Sequence, residues 1–336
     1  MSLADRLQRS WWQPRPDALA HALRPLSALY LGMAGMSRRH PPSPLPVPVL
    51  VVGNLIVGGA GKTPTVIALV QALRAAGWTP GVVSRGYGRR DESLRTVTRE
   101  SRADEVGDEP LLVHLRTQAP VVVARDRHAA ALALCRANPG VDLVISDDGL
   151  QHHALPRTAQ VMVFDTRGAG NGLVLPAGPL REPLPHELPP ATLVLYNADR
   201  ASTRLPGWTV RRRLAGAVSL QDWWGGIAAT DAQLKRLRGH PLVAAAGMAE
   251  PERFFSMLEA EGLSIERMPL PDHHDFHALP WSSSTADVVV TEKDAVKLRP
   301  LPGDATRVWV VALDFALDDD FIAELQRLLR RPQTSS

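Results

Sequence analysis

The segment "VGNLIVGGAGKTP", from Val52 to Pro64, sets a lysine and a hydroxyl directly behind a run of glycines. Such a run lets backbone N–H groups converge on an anion at a helix N-terminus, and the lysine adds the positive charge that phosphate oxygens attract. Nucleotide-binding P-loops follow G-x-x-x-x-G-K-[ST], and here Ile56 occupies the place of the first glycine. Gly58, Gly59 and Gly61 still permit close approach, Lys62 would reach the β and γ phosphates of ATP, and the Thr63 hydroxyl would face Mg²⁺. The candidate nucleotide loop therefore comprises Ile56, Val57, Gly58, Gly59, Ala60, Gly61, Lys62 and Thr63.

A loop of this kind calls for an acidic metal partner at the end of another apolar strand, and "VDLVISDDG" supplies Asp147 and Asp148 there. Capping of the next element is the other use for adjacent carboxylates. Arginines on fixed loops clamp phosphates bidentately, which makes Arg85 beside Tyr87, Arg125 and Arg181 candidates for ATP or for a phosphate on the acceptor. The run from Asp272 to His277 carries three histidines and invites a metal reading, but adjacent histidines rarely both point at one ion.

These groups need a scaffold that brings loops to one edge. Short apolar runs alternate with helical patterns from "VPVLVVGN" onward, the mark of a mostly parallel α/β sheet with helices on both faces. "VPVLVVGN" feeds the glycine loop, and "TPTVIALVQALRAAGW" follows as a helix with Pro64 in its first turn and Gly77 as its C-cap. Further strands are expected at "GVVS", "APVVVAR", "VDLVIS", "AQVMVFD" and "TLVLYN", then at "PLVAAAG", "ADVVVTE" and "TRVWVVAL", with helices starting near Pro251, Asp294 and Asp319. The expected division is an N-terminal segment over 1–40, a P-loop core over 41–205, a β-ribbon linker over 206–235 and a smaller α/β domain over 236–336.

The chain has 336 residues and a net charge of +3, while residues 1–40 alone hold six arginines against two aspartates. That front also carries Trp11, Trp12, Leu19, Leu23, Leu26, Leu29, Tyr30, Leu31 and Met33, followed by Arg38 and Arg39. Apolar residues with interfacial aromatics and basic flanks suit a helix lying on an anionic bilayer; packing on the chain's own domain is the alternative. No run reaches the roughly 18 to 20 apolar residues of a spanning helix, and no signal-peptide pattern is evident. Nucleic acid is not an expected partner, because basic and aromatic residues do not interleave downstream. The single cysteine, Cys135, excludes a disulfide framework and reads as a small core residue.

"VGNLIVGGAGKTP", "SRGYGR", "GDEP", "ARDR", "SDDGLQH", "PAGPLREP", "PDHH" and "TEKDAVKL" follow one another from about residue 50 to 298. In type and order they resemble the tetraacyldisaccharide 4′-kinases, the lipid A 4′-kinases. The resemblance implies transfer of the γ-phosphate of ATP to the 4′-hydroxyl of a lipid disaccharide 1-phosphate at the cytoplasmic face of the inner membrane. It points to Asp108 and His273 as a catalytic pair, the carboxylate orienting the imidazole and raising its basicity, with domain closure bringing His273 to the phosphates. Glu109 joins Thr63, Asp147 and Asp148 as a candidate Mg²⁺ ligand, Gln151 joins the arginines on the substrate side, and Lys293 and Asp294 take a nucleotide-side or domain-interface role. The alternative is a regulatory or assembly ATPase with a deviant P-loop, K-G-G-x-G-K-[ST]; Val57 stands where those proteins carry a lysine.

Overall fold

The computed structural model describes residues 3–36, 44–300 and 305–330. Arg38, Arg39 and the expected boundary at residue 40 lie outside them. The first sheet holds β1 (Val49–Gly53), β2 (Pro80–Ser84), β3 (Arg95–Val97), β4 (Val121–Val123), β5 (Leu143–Asp147), β6 (Ala159–Asp165), β7 (Thr192–Asn197) and β8 (Trp208–Thr209). Their order is β3-β4-β2-β5-β1-β6-β7-β8, and every pairing is parallel except that of β3 with β4. β1, β2, β5, β6 and β7 are buried along their whole lengths, as strands covered on both faces must be, so they read as unbroken apolar runs.

Register explains where the chemistry gathers. Val52 of β1 pairs with Asp147 of β5, Val83 of β2 with Ser146, Ser84 with Val123 of β4, and Asp165 of β6 with Asn197 of β7. Parallel strands in such register end together, so the glycine loop, the paired aspartates, "SRGYG" and "ARDR" leave from one carboxyl edge. β1 lies between β5 and β6, where the chain switches sides, and the crevice at such a switch point is where open α/β sheets take ligands.

The glycine loop runs into α3 (Lys62–Ala75), and α4 (Ala103–Val106), α5 (Asp108–Thr117) and α6 (Arg127–Ala137) complete the crossovers. Cys135 on α6 is half-buried and packs against the core. The second sheet, in order β11-β10-β12-β13-β9, comprises β9 (Arg211–Ser219), β10 (Leu242–Ala246), β11 (Ile265–Pro269), β12 (Asp287–Thr291) and β13 (Arg307–Ala316), with β9 antiparallel to β13. Around it lie α7 (Leu220–Gly225), α8 (Asp231–Arg236), α9 (Pro251–Ala260) and α10 (Glu292–Ala295).

Two expected boundaries shift. The stretch over 206–235 is not a separate ribbon: β8 closes one edge of the first sheet and β9 one edge of the second, so the connection is absorbed into both. The last helix, α11 (Asp319–Leu329), leaves the second sheet and returns to the first core, where Phe321 is fully buried edge-to-face against Trp208, ring centroids 5.4 Å apart. Its apolar face, Phe321, Leu325, Leu328 and Leu329, is buried.

At the front, α1 (Leu3–Trp11) and α2 (Ala18–Met36) dock on the loop over 170–180. Trp11 Nε1 donates to the Pro176 carbonyl at 2.9 Å and Ser27 Oγ to that of Val174 at 2.8 Å. The outer side of α2 keeps Leu26, Leu29 and Met33 exposed at 52, 63 and 67%. The segment thus packs on its own domain on one side and presents an apolar stripe on the other.

The domains meet through α5. Arg116 reaches across to Glu292, in a very short contact, and to Asp314 at 2.8 Å, while Glu292 also accepts Trp223 Nε1 at 3.2 Å. Glu292 is buried, which raises its carboxyl above its ordinary range against the pull of Arg116. Removing one partner from a buried pair leaves an uncompensated charge. We expect Arg116→Ala to destabilise the chain by about 3 to 5 kcal/mol, measured as a lower urea midpoint; an unchanged midpoint would show that this contact does not hold the domains together.

Candidate active site

The irregular start of the phosphate loop has a packing explanation. Ile56 is fully buried in the first core and its backbone bridges Leu180, while the Val57 N–H donates to the Pro179 carbonyl at 2.9 Å. The loop is stitched to the "PAGPL" segment where other P-loops turn on glycine. The Ile56 side chain thus belongs to the core, and the Val57 N–H is engaged within the chain.

Inside the loop, the buried Asn54 donates from Nδ2 to the Gly58 carbonyl at 3.1 Å and accepts from Lys62 Nζ at 3.3 Å, so one amide braces both ends of the turn. Sequence reasoning passed over Asn54; a polar residue directly after a buried strand was the available signal. Gly61, with φ of 80°, caps α3, and a Cβ there would collide with the Asn197 side-chain amide, which itself donates to the Ala60 carbonyl at 3.2 Å. Both the left-handed backbone and the close approach require glycine.

The two aspartates divide. Asp148 lies 3.5 Å from Lys62 Nζ and 3.4 Å from Arg181, which also donates to Gln151 Oε1 at 3.3 Å. Burial raises the Asp148 carboxyl, yet Lys62, Arg181 and Arg127 outweigh it and hold it below its usual range. Asp148 adopts a left-handed φ of 49°, strain that these ion pairs maintain. Asp147 is different. Its Oδ2 accepts Ser84 Oγ at 3.3 Å, Oδ1 is buried without a partner, and burial followed by Glu109 and Asp148 pushes its carboxyl up.

An orphaned oxygen on a buried carboxylate that feels the Lys62 charge and lines the same cleft as Thr63 fits Mg²⁺. No group of three acidic, histidine or cysteine side chains converges as a ready metal site among the described residues. Mg²⁺ does not demand one, because it takes one or two carboxylates and completes its shell with phosphate and water. Glu182, the acid of "PLREP", lies 3.4 Å from His153 Nε2.

Across the cleft, Asp108 opens α5 and accepts His273 Nδ1 at 3.0 Å. Gly107 and Gly86 make room: a Cβ on Gly107 would stand 3.0 Å from the Gly86 backbone, and this closeness lets "SRGYG" lie over the start of α5. Burial alone would raise Asp108, but the His273 hydrogen bond and the charges of Lys293 and Lys297 bring it to about 2. The same hydrogen bond raises His273, against burial and Lys293. With Nδ1 on the carboxylate, Nε2 is left for chemistry, at present 3.5 Å from Lys293 Nζ. The pair spans the two domains and is already formed, so no closure is required to assemble it.

A cleft of about 810 Å³ collects Gly58, Gly59, Gly61, Lys62, Thr63, Asp147, Asp148, Glu109, Arg85, Tyr87, Gln151, Arg181 and His273. Lys293 also lines it, whereas Asp294 is buried behind as the acceptor of Thr291 Oγ1 at 2.7 Å and of the Gly247 N–H at 3.1 Å. Arg125 is outside this lining; it is 75% exposed and shares Glu92 with Arg85, at 3.2 and 3.1 Å. The arginine of "ARDR" that faces the cleft is Arg127, which donates to the Asp148 carbonyl at 2.9 Å. The far wall, from the second domain, adds Arg212, Met248, Arg253, Phe254 and Met257, none of which carried a motif.

Comparison with known proteins agrees with this geometry. A family model described as Tetraacyldisaccharide-1-P 4'-kinase (LpxK) matches residues 19–330. The tetraacyldisaccharide 4'-kinase of Methylibium petroleiphilum is 54% identical, covering 96% of this chain and 93% of its own. That of Leptothrix cholodnii is 51% identical over 98% of each chain. A crystal structure of LpxK from Aquifex aeolicus in complex with ATP has the same fold, with a TM-score of 0.75 at 24% identity over 93% of this chain and 99% of that one. At such identity over nearly the full length of its relatives, the chain belongs to the tetraacyldisaccharide 4′-kinase family.

Proposed function

We propose that this kinase transfers the γ-phosphate of ATP to the 4′-hydroxyl of a tetraacylated disaccharide 1-phosphate, with His273 as the general base. The observation that carries the reading is the Asp108–His273 pair, whose imidazole lines the cleft that also holds Lys62 and the glycine loop. An acceptor hydroxyl needs such a base, and transfer needs charge neutralisation and in-line positioning. Regulatory ATPase function has no comparable support.

Backbone N–H groups from Gly58 onward and Lys62 would bind the phosphates, with Asp148 and Arg181 fixing the lysine. Thr63 and Asp147 would hold Mg²⁺, with Glu109 nearby; when bound, the ion neutralises charge on the transferring phosphoryl group. His273 Nε2 takes the proton of the 4′-hydroxyl as its oxygen bonds to the γ-phosphorus, and the bond to ADP breaks. The imidazolium so formed is stabilised by Asp108. Lys293 must leave Nε2 beforehand, and the incoming phosphate is its natural new partner. Arg85, Tyr87, Gln151 and Arg181 remain our candidates for the acceptor side. The exposed stripe Leu26, Leu29 and Met33, next to the arginines of the first helices, suits peripheral binding to an anionic cytoplasmic leaflet. No helix of the described residues is long and apolar enough to cross a membrane.

Incubation with ATP, Mg²⁺ and the lipid disaccharide should move labelled γ-phosphate to the 4′ position, and chelating the metal should stop it. ATP hydrolysis without acceptor phosphorylation would refute the kinase reading. The acid limb of the pH–rate profile should follow His273, because only the neutral imidazole is a base and its protonation, below the raised pKa, removes activity. Asp108→Asn takes away the group that raises it, so the limb should move to lower pH, toward the ordinary 6.5, while the plateau falls about 10²- to 10⁴-fold; a limb that stays in place would assign the titration to another group. For the membrane, Leu29→Glu with Met33→Glu should reduce turnover on acceptor in anionic vesicles but not in detergent micelles. Equal turnover in vesicles would remove the stripe from the binding surface.

A further inference from the structure

Arg167, just beyond β6 in "DTRGAG", belongs to none of the groups above, yet its guanidinium joins three parts of the molecule. Nη2 donates to the Gly59 carbonyl of the phosphate loop at 2.7 Å and to Asp165 Oδ2 at 2.6 Å. Nε lies 3.3 Å from Glu250 of the second domain, and the guanidinium carbon stacks 4.5 Å from the centre of the Trp12 ring. The Trp12 ring is the N-terminal segment's contribution, and its neighbours hold it in place. Trp11 is anchored through its indole, and its carbonyl accepts the Asn171 N–H at 2.8 Å; Asn171 Nδ2 donates to the Ser10 carbonyl at 3.2 Å. The loop that carries Arg167 is thus built around the end of α1.

The contact with Gly59 bears on phosphate binding. In a trans peptide the Ala60 N–H points opposite to the Gly59 carbonyl. A carbonyl held on Arg167 therefore turns that N–H away from Arg167, between two glycines, Gly59 and Gly61, that line the cleft. Gly58 and Gly59 offer no side chain to resist rotation of these peptides. We propose that Arg167 is a positioning residue for the phosphate loop, and that Trp12, by stacking on it, makes seating of the N-terminal segment a condition for a competent ATP site. The proposal rests on the reading of this loop as the ATP site.

Steady-state kinetics of the full chain in detergent micelles, where vesicle binding plays no part, test it together with equilibrium binding of ATP. Arg167→Lys keeps the charge but loses the planar stack, and Trp12→Ala removes the ring. Each should raise the KM for ATP about 3- to 10-fold, the size of one partly buried cation–π contact, with kcat at saturating ATP within about twofold. Trp12→Phe should restore the KM, and the double variant Trp12→Ala/Arg167→Lys should be no worse than the poorer single one. A KM unchanged in Arg167→Lys, or two effects that multiply in the double variant, would overturn the coupling. If the parent protein binds ATP and Trp12→Ala binds it equally well, this inference fails alone; if the parent does not bind ATP, the kinase reading fails as well.

Discussion

Helix α5 is tied to the second sheet at both ends, by Asp108 to His273 and by Arg116 to Glu292 and Asp314. The two residues stand about 12 Å apart along the helix axis. Contacts at both ends fix tilt as well as position, so the second domain cannot swing about either one without exposing the other. Glu292 and Asp108 are buried, and a buried carboxylate that loses its partner is strongly destabilising. The cleft between the domains, lined by both His273 and the glycine loop, is therefore held together by these contacts, and pre-arrangement of this kind is a large share of what a phosphoryl-transfer enzyme supplies.

On the opposite wall, electrostatics assign different work to neighbouring carboxylates. Asp148 is surrounded by Lys62, Arg181 and Arg127 and stays ionised, whereas Asp147, one residue earlier, faces burial and two other acids and lacks a partner on one oxygen. Adjacent residues at the end of a strand point in different directions, so one meets the cations at the surface of the cleft and the other stays in the sheet. A divalent cation bound there would resolve the unfavourable state of Asp147.

Much of the architecture was legible in the chain. The expected strands over "VPVLVVGN", "GVVS", "VDLVIS", "AQVMVFD" and "TLVLYN" are all present, because buried parallel strands are continuous β-branched and aliphatic runs. The short edge strands β3, β8 and β11 were not legible, since half-exposed edges carry mixed residues without a period. Within the site, Lys62, Asp147, Asp148 and His273 announced themselves through motifs. Asn54 and Arg127 sat inside quoted motifs without being singled out, and Arg167 and Arg212 carried no motif, because one arginine among 34 has no local pattern.

The sequence by itself determined the parallel α/β class, the strand that delivers the glycine loop and the residue types able to move a phosphoryl group. These depend on apolar periodicity and on neighbours within one turn, which a linear text contains. Tertiary structure alone decided that Ile56 serves the core, that Arg127 and not Arg125 faces the cleft, that α11 returns to the first sheet, and that His273 meets Asp108 without further closure. Each of these is a contact between residues far apart in the chain, chosen by strand register and by the need to pair charge where water is excluded.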